Sequence, residues 1–255
     1  MTTRTVDLDK LREFVDADPV RNAVVAQRIF YPYQKTEFFV DDENRIEAAA
    51  AIEIPGNEWE TRSMACQANT SGAARELVSG LPEGKFWFHL ANEEVFPVMR
   101  ERLKMGWFAR AWLLSLDAGE FKAESRHKTA RIDVRWAHRI ASIWSLDWNA
   151  DEYVKSRLEN GPSAGVFVDG ELVAWDLSHF ETEKVSMLGF LHVLPEYRGR
   201  GYAASVTIDC VRQVLAKDKI AACHIYEHNE ASLGLCEGLG FRRVCRQIWG
   251  DAVTR

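Results

Sequence analysis

Leu194-Pro195-Glu196-Tyr197-Arg198-Gly199-Arg200-Gly201-Tyr202-Ala203 is the stretch that decides how this chain folds. It leaves an apolar run with strand character, 185–193, and enters a run with helical character, 203–215. A glycine-rich turn between a strand and a helix suits an anion. The first helical N–H groups have no intrahelical partner, and the helix dipole adds partial positive charge at that end. Gly199 and Gly201 allow close approach of the backbone and φ angles that a side chain forbids. Arg198 and Arg200 add charge, and a guanidinium forks onto phosphate oxygens. The turn reads as a diphosphate cradle.

Two other phosphate loops are excluded. No Lys-Ser or Lys-Thr follows the second glycine, as the nucleoside-triphosphate loop requires. Position 204 is Ala, so Gly-x-Gly-x-x-Gly fails too, and no acidic residue follows in the ribose-binding context. The stretch instead resembles the acyl-CoA loop of the GNAT superfamily of N-acetyltransferases, Arg/Gln-x-x-Gly-x-Gly/Ala, here Arg198-x-x-Gly201-x-Ala203. The flanks carry the same resemblance. A helical run over 203–217 and a strand-like run over 220–226 precede Asn229-Glu-Ala-Ser232-Leu-Gly-Leu235-Cys236-Glu-Gly-Leu239-Gly240-Phe241. Its Asn, small residue, Leu and Gly-Phe close stand at the family's spacing. Val173-Ala174-Trp175-Asp176 and the loop string are similar to the glycine N-acyltransferase branch. The resemblance covers roughly the last half of the chain.

Composition narrows the classes. With 255 residues, 47% hydrophobic and 27% charged, the chain is globular and long enough for one large domain or two ordinary ones. A net charge of −6 without a dense basic stripe argues against nucleic acid as a partner. Cys66, Cys210, Cys223, Cys236 and Cys245 are odd in number and lack Cys-x-x-Cys spacing, which points to reduced thiols and to no metal site. No apolar leader opens the sequence and no long apolar span interrupts it, so a soluble, cytoplasmic protein without a membrane partner is expected.

Along the chain, Asp7 caps a helix bearing Leu8, Leu11, Phe14 and Val15, and Asp18-Pro19 starts another. A hairpin is expected over 37–54, helices over 73–79 and 95–104, and strands over 85–90 and 107–116. In the second half, a strand over 131–134 leads to helices over 136–144 and 152–158. A hairpin turning at Asp169-Gly170 follows, then the long strand and the loop. The tryptophans Trp136, Trp144, Trp148, Trp175 and Trp249 are expected chiefly in the core. The halves echo one another: Phe39-Val40-Asp41 matches Phe167-Val168-Asp169, and Met105-Gly106-Trp107 matches Leu239-Gly240-Phe241. This suggests two GNAT-like halves, 1–122 and 129–255, joined by a charged linker near 119–128. The glycine turn of the first half, Thr70-Ser71-Gly72-Ala73, lacks the second glycine and the arginines. That half is expected to bind no acyl-CoA and to close the acceptor side of the cleft.

The resemblance implies an α/β (α+β) GNAT fold, with a mixed, mostly antiparallel sheet splayed at the acyl-CoA site and a degenerate GNAT-like half before it. It implies an N-acyltransferase that moves an acyl group, acetyl first among them, from CoA to a primary amine of a small molecule or amino acid. A non-catalytic acyl-CoA-binding module and a protein N-terminal or lysine acetyltransferase are the alternatives. The diphosphate falls to Arg198, Gly199, Arg200, Gly201, Tyr202 and Ala203. The strand end at Leu191, His192 and Val193 pairs with the pantetheine arm, and an N–H at or beside Val193 polarises the thioester carbonyl. Asn229 caps its helix and reaches the pantetheine amide, with Ser232 beside it. Relatives carry a Glu or His four or six positions before the valine, and here Gly189 and Met187 stand there. His192 is the nearest titratable group, with Asp176, His179, Glu181 and Glu183 as further candidates for the base. The acid position, a Tyr in the family, holds Cys236, either a weak thiol acid or a small buried hydrophobe.

Overall fold

A computed structural model describes residues 7–32, 35–54, 61–116, 118–144 and 150–254. The chain forms two compact units. The first takes residues 1–113 with 225–228 and 243–255; the second takes 114–224 with 229–242.

The first unit opens with α1 (Leu8–Asp16), whose cap is the Asp7 carboxylate accepting from the Asp9 and Lys10 amides at 2.9 and 3.4 Å. Its apolar face buries Leu11, Phe14 and Val15. The second helix, α2 (Ala23–Phe30), begins later than the Asp-Pro pair suggests. Asp18 accepts the Arg21 N–H at 3.0 Å and forms a turn ahead of the helix instead. Strands β1 (Thr36–Val40) and β2 (Ala48–Glu53) make the expected hairpin. Strand β3 (Thr61–Ala68), absent from the sequence reading, pairs antiparallel with β2. Its buried residues are mostly small and consecutive, so no alternation marks it. Helix α3 (Ser71–Ser79) crosses to β4 (Lys85–Leu90), parallel to β3 through six residue pairs. Helix α4 (Val95–Arg102) runs straight into β5 (Leu103–Leu116). The last strand, β11 (Arg242–Thr254), pairs antiparallel with β4, so this unit draws on the C-terminal end of the chain. Met64, Leu77, Phe86, Phe88, Leu90, Met99 and Ile248 form its core.

In the second unit the expected strand at 131–134 shrinks to a single bridge, Ala130 with Gly165. The Asp133 carboxylate takes the Arg135 N–H at 2.9 Å and curls the chain into a turn. Helices α5 (Ala137–Trp144) and α6 (Asp151–Asn160) precede the hairpin β6 (Ser163–Val168) and β7 (Glu171–Glu181). Asp169 and Gly170 turn it at φ of 51° and 85°, the pair of positive values that a two-residue hairpin turn demands. Strand β8 (Val185–Leu188), the short β9 (His192–Val193), α7 (Tyr202–Leu215), β10 (Ile220–Tyr226) and α8 (Glu230–Gly238) complete the order. The strands lie as β10-β8-β7-β6, with β9 also on β7; β8 and β10 are parallel and the other pairs antiparallel. The core gathers Ile140, Val154, Leu158, Trp175, Leu177 and Phe190. Trp175 is fully buried as expected, Trp144 is exposed, and Trp148 lies outside the described residues. Among the described residues no helix is long and apolar enough to cross a membrane.

Candidate active site

The glycine turn adopts the conformation its residues permit. Gly199 has φ of 75° and Gly201 has φ of 84°, and Gly201 caps α7 without any side-chain hydrogen bond. A residue with a Cβ would be strained at both positions. The amides that open α7 therefore have no side-chain cap, at the positive end of a 14-residue helix. Arg198 donates from Nε to the Val193 carbonyl at 3.1 Å, which ties the loop to β9. Arg200 donates to the Glu196 carbonyl at 3.1 Å and lies over the Tyr197 ring. His127, from the charged stretch before α5, bonds through Nε2 to the Arg200 carbonyl at 2.8 Å. Its ring meets Tyr202 edge-on at 4.7 Å. The sequence reading missed His127, because a single histidine in an aperiodic charged segment carries no local signal.

The strand before the loop is broken, and the break opens a slot. β8 and β10 pair from Val185–Ile220 to Leu188–Cys223, and no pairing of β9 with β10 follows. β9 turns to β7, with Trp175 opposite His192 and Ala174 opposite Val193. The Leu194 amide donates to the Val173 carbonyl at 3.0 Å. Paired groups alternate along an antiparallel ladder, so the Val193 N–H points away from β7, towards the side that β10 has left. Leu191, His192 and Val193 are half-buried there. Gly189 is exposed, although Leu188 and Phe190 on either side of it are buried. The gap between the strands thus begins where the pairing of Leu188 with Cys223 ends, beside Gly189, and runs to the loop.

Ionisable groups surround it. His192 stacks on Trp175 at 4.8 Å and 29° between planes. Burial, and then the Arg198 charge, lower its pKa and favour the neutral ring. Asp176, on β7, is only 2% exposed, and Thr207 of α7 donates to its carboxylate at 3.0 Å. Burial nonetheless pushes the carboxyl up to about 7. Glu181 sits between Lys217 and Lys219, 3.5 Å from each, in an ion-pair cluster. Asn229 caps α8 by accepting the Ser232 N–H at 3.2 Å. Cys236 is buried on α8 with its sulfur 3.9 Å from that of Cys223. The Cys223 thiol is pushed up by its bond to Cys236 and by burial, and it stays protonated. At His179 the β7–β8 register slips, with Ser178 opposite Leu188 and Phe180 opposite Met187. Among the described residues no cluster of His, Cys, Asp or Glu has the makings of a metal site.

This arrangement can hold an anion at the loop and pair an extended chain along the free side of β9. Comparison with known proteins agrees with that geometry. Residues 163–250 match the family described as FR47-like protein. No curated protein sequence matches the chain. A solved Drosophila melanogaster protein superposes with a TM-score of 0.68 at 15% identity, over 96% of this chain and 86% of that one. The GNAT-family acetyltransferase of Colwellia psychrerythraea gives 0.62 at 13% identity, over 100% of each chain. A tandem GNAT protein from the clavulanic acid biosynthesis pathway gives 0.55 at 12% identity, over 91% of this chain and 86% of that one. The chain has the GNAT acetyltransferase fold, with a mixed sheet that splays beside the glycine loop.

Proposed function

We propose that the protein is an acyl-CoA-dependent N-acyltransferase that moves an acyl group, acetyl first among them, to the primary amine of a small molecule or amino acid. The observation that carries this reading is the uncapped N-terminus of α7 at the mouth of a slot left by the parting of β8 and β10. Arg198, Gly199, Arg200, Gly201, Tyr202 and Ala203 would hold the diphosphate. Leu191 to Val193 would pair with the pantetheine arm, and the Val193 N–H would polarise the thioester carbonyl. Asn229 would reach the arm from the start of α8.

In the reaction the amine nitrogen bonds to the thioester carbon and the carbon–sulfur bond breaks. The nitrogen loses a proton and the departing thiolate gains one. Cys236 stands at the family's acid position on α8, and its burial equally fits a packing role. We read residues 129–255 as the catalytic domain and 1–122 as a degenerate GNAT-like half. Both parts follow the order hairpin, strand, helix, strand, helix, long strand, and a tandem GNAT protein is among the structural neighbours. The loop string further supports a glycine N-acyltransferase-like branch, and five free cysteines suit a cytoplasmic enzyme. Nucleic acid, membrane and metal have no part in this reading.

The second reading, an acyl-CoA-binding module without catalysis, draws on the buried Met187 and the bare Gly189 where relatives carry a base. A thiol-release assay with acetyl-CoA and longer acyl-CoAs against an amine panel separates the two. Amine-dependent release supports the enzyme. Tight acyl-CoA binding without release for any amine supports the module.

A further inference from the structure

We infer that His179 is the catalytic residue that takes the proton from the acceptor amine, and that Tyr153 holds its ring for that task. The inference rests on the acyl-transfer reading above and says which side chain completes it. With the diphosphate end of the donor at the loop, its thioester end lies farthest from it, where β8 and β10 part after Leu188 and Cys223. Gly189 lies three residues before His192, across the irregular segment that joins β8 to β9, and so at most about 10 Å farther from the loop at roughly 3.3 Å per extended residue. The proton acceptor must therefore stand beside Gly189 rather than beside the loop.

His179 stands there. A Cβ built on Gly189 would meet the His179 Cβ at 3.0 Å, its Cγ at 3.5 Å and its Cδ2 at 4.0 Å. The histidine thus lies across the space that a side chain at 189 would fill. It is also the extra residue of the β7–β8 bulge, and a bulge re-aims a side chain that regular pleating would fix elsewhere. Its ring is oriented by a specific partner. The Tyr153 hydroxyl, on α6, lies 2.7 Å from His179 Nδ1 and donates its own hydrogen to the His179 main-chain carbonyl. A phenol has one hydrogen to give, so its oxygen accepts from Nδ1–H. That fixes the tautomer and puts the basic lone pair on Nε2. Trp144 of α5 at 5.6 Å and Phe190 at 5.7 Å also meet the ring edge-on.

The competing groups are worse placed. Asp176 is sealed in the core against Thr207 and Cys210 of α7. His192 is stacked on Trp175 towards the loop end of the slot. In the proposed step the amine nitrogen forms its bond to the acyl carbon and gives its proton to His179 Nε2. The carbon–sulfur bond then breaks with the electron pair on sulfur, and the thiolate takes up, through solvent, the proton that the His179 imidazolium gives back, which returns the ring to its neutral form.

The test measures thiol release with acetyl-CoA and the best amine of the panel, alongside calorimetric CoA affinity, for the wild type, His179→Gln, His179→Ala and Tyr153→Phe. The His179 variants should lose about a hundredfold or more in kcat, the range of general-base catalysis, with CoA affinity held within about twofold. Added imidazole should restore part of the rate to His179→Ala, which repair of packing alone would not do. Tyr153→Phe should lower kcat by about tenfold with little change in the amine KM. Retained CoA affinity certifies the fold of each variant. If His179→Gln keeps more than a third of wild-type kcat, the inference is wrong while the acyltransferase stands. If the wild type itself acylates no amine, both fall together.

Discussion

Residues 68–74 and 193–205 solve the same topological problem in two ways. Each leaves a strand, opens a helix and crosses to a parallel strand, β3–α3–β4 in one unit and β8–α7–β10 in the other. In the first, the Thr70 hydroxyl accepts the Ala73 N–H at 3.1 Å, so the helix end is closed by its own side chain. The parallel pairing beside it runs unbroken through six residue pairs. In the second, Gly201 caps in the left-handed region with no side-chain oxygen, and the parallel pairing stops after four. One crossover is closed on itself, and the other is left open as the proposed binding site requires. A strand–helix junction becomes an anion site when its amides are left open and its strands part early enough to admit the rest of the ligand.

Four measurements would break or sharpen that contrast. The largest effect concerns what lies under each crossover helix. The buried residues of α3 share a wholly apolar core with Ala50, Ile52 and Cys66, whereas α7 meets the carboxyl of Asp176 through Thr207. Burial raises that carboxyl from 3.8 to about 7, so between those values the folded chain holds more protons than the unfolded one. Its contribution is full below pH 3.8 and is lost as pH rises through about 7. Asp176→Asn keeps an acceptor for Thr207 and removes the titration. At pH 8 it should be more stable than the wild type by up to about 4 kcal/mol, roughly three pK units, and the advantage should vanish near pH 4. Urea unfolding at a series of pH values checks this, and parallel curves for the two proteins would refute it.

Next comes the loop. Gly201→Val forces a β-branched residue to a φ of 84° and pushes a side chain towards His127, 3.5 Å from a Cβ there. CoA affinity by calorimetry should fall by about tenfold or more. The same titration of the wild type should saturate at one CoA per chain, since the capped crossover offers no second cradle. Two equivalents, or unchanged affinity, would erase the contrast. Third, Thr70→Ala should cost about 1 kcal/mol of stability, the usual worth of such a cap, and leave CoA affinity alone. A loss of CoA binding would mean that the closed crossover is not merely structural.

The smallest effect is expected at Cys236. A thiolate with a conjugate-acid pKa of about 8.5 departs without much help, so Cys236→Ala should change kcat by less than about threefold. A hundredfold fall with CoA affinity intact would make the thiol a working acid, relayed to Cys223 at 3.9 Å.

The glycine turn, the helix it opens, the Asp169-Gly170 hairpin and the Asn229 cap were all legible in the amino-acid sequence, and with them the fold. Each is a local signal: a positive φ that glycine tolerates, or a side-chain oxygen within three residues of the amide it caps. Strand β3 escaped because small, consecutive buried residues leave no alternation, and β11 because its partner β4 lies far away in sequence. What surrounds Gly189, by contrast, follows from strand register and helix packing. Register sets which residues meet across strands, and a single bulge changes it. The slip at His179 brings that histidine over Gly189, and the packing of α6 brings Tyr153, 26 positions away, to its ring. No motif encodes such a meeting, because it belongs to neither segment alone.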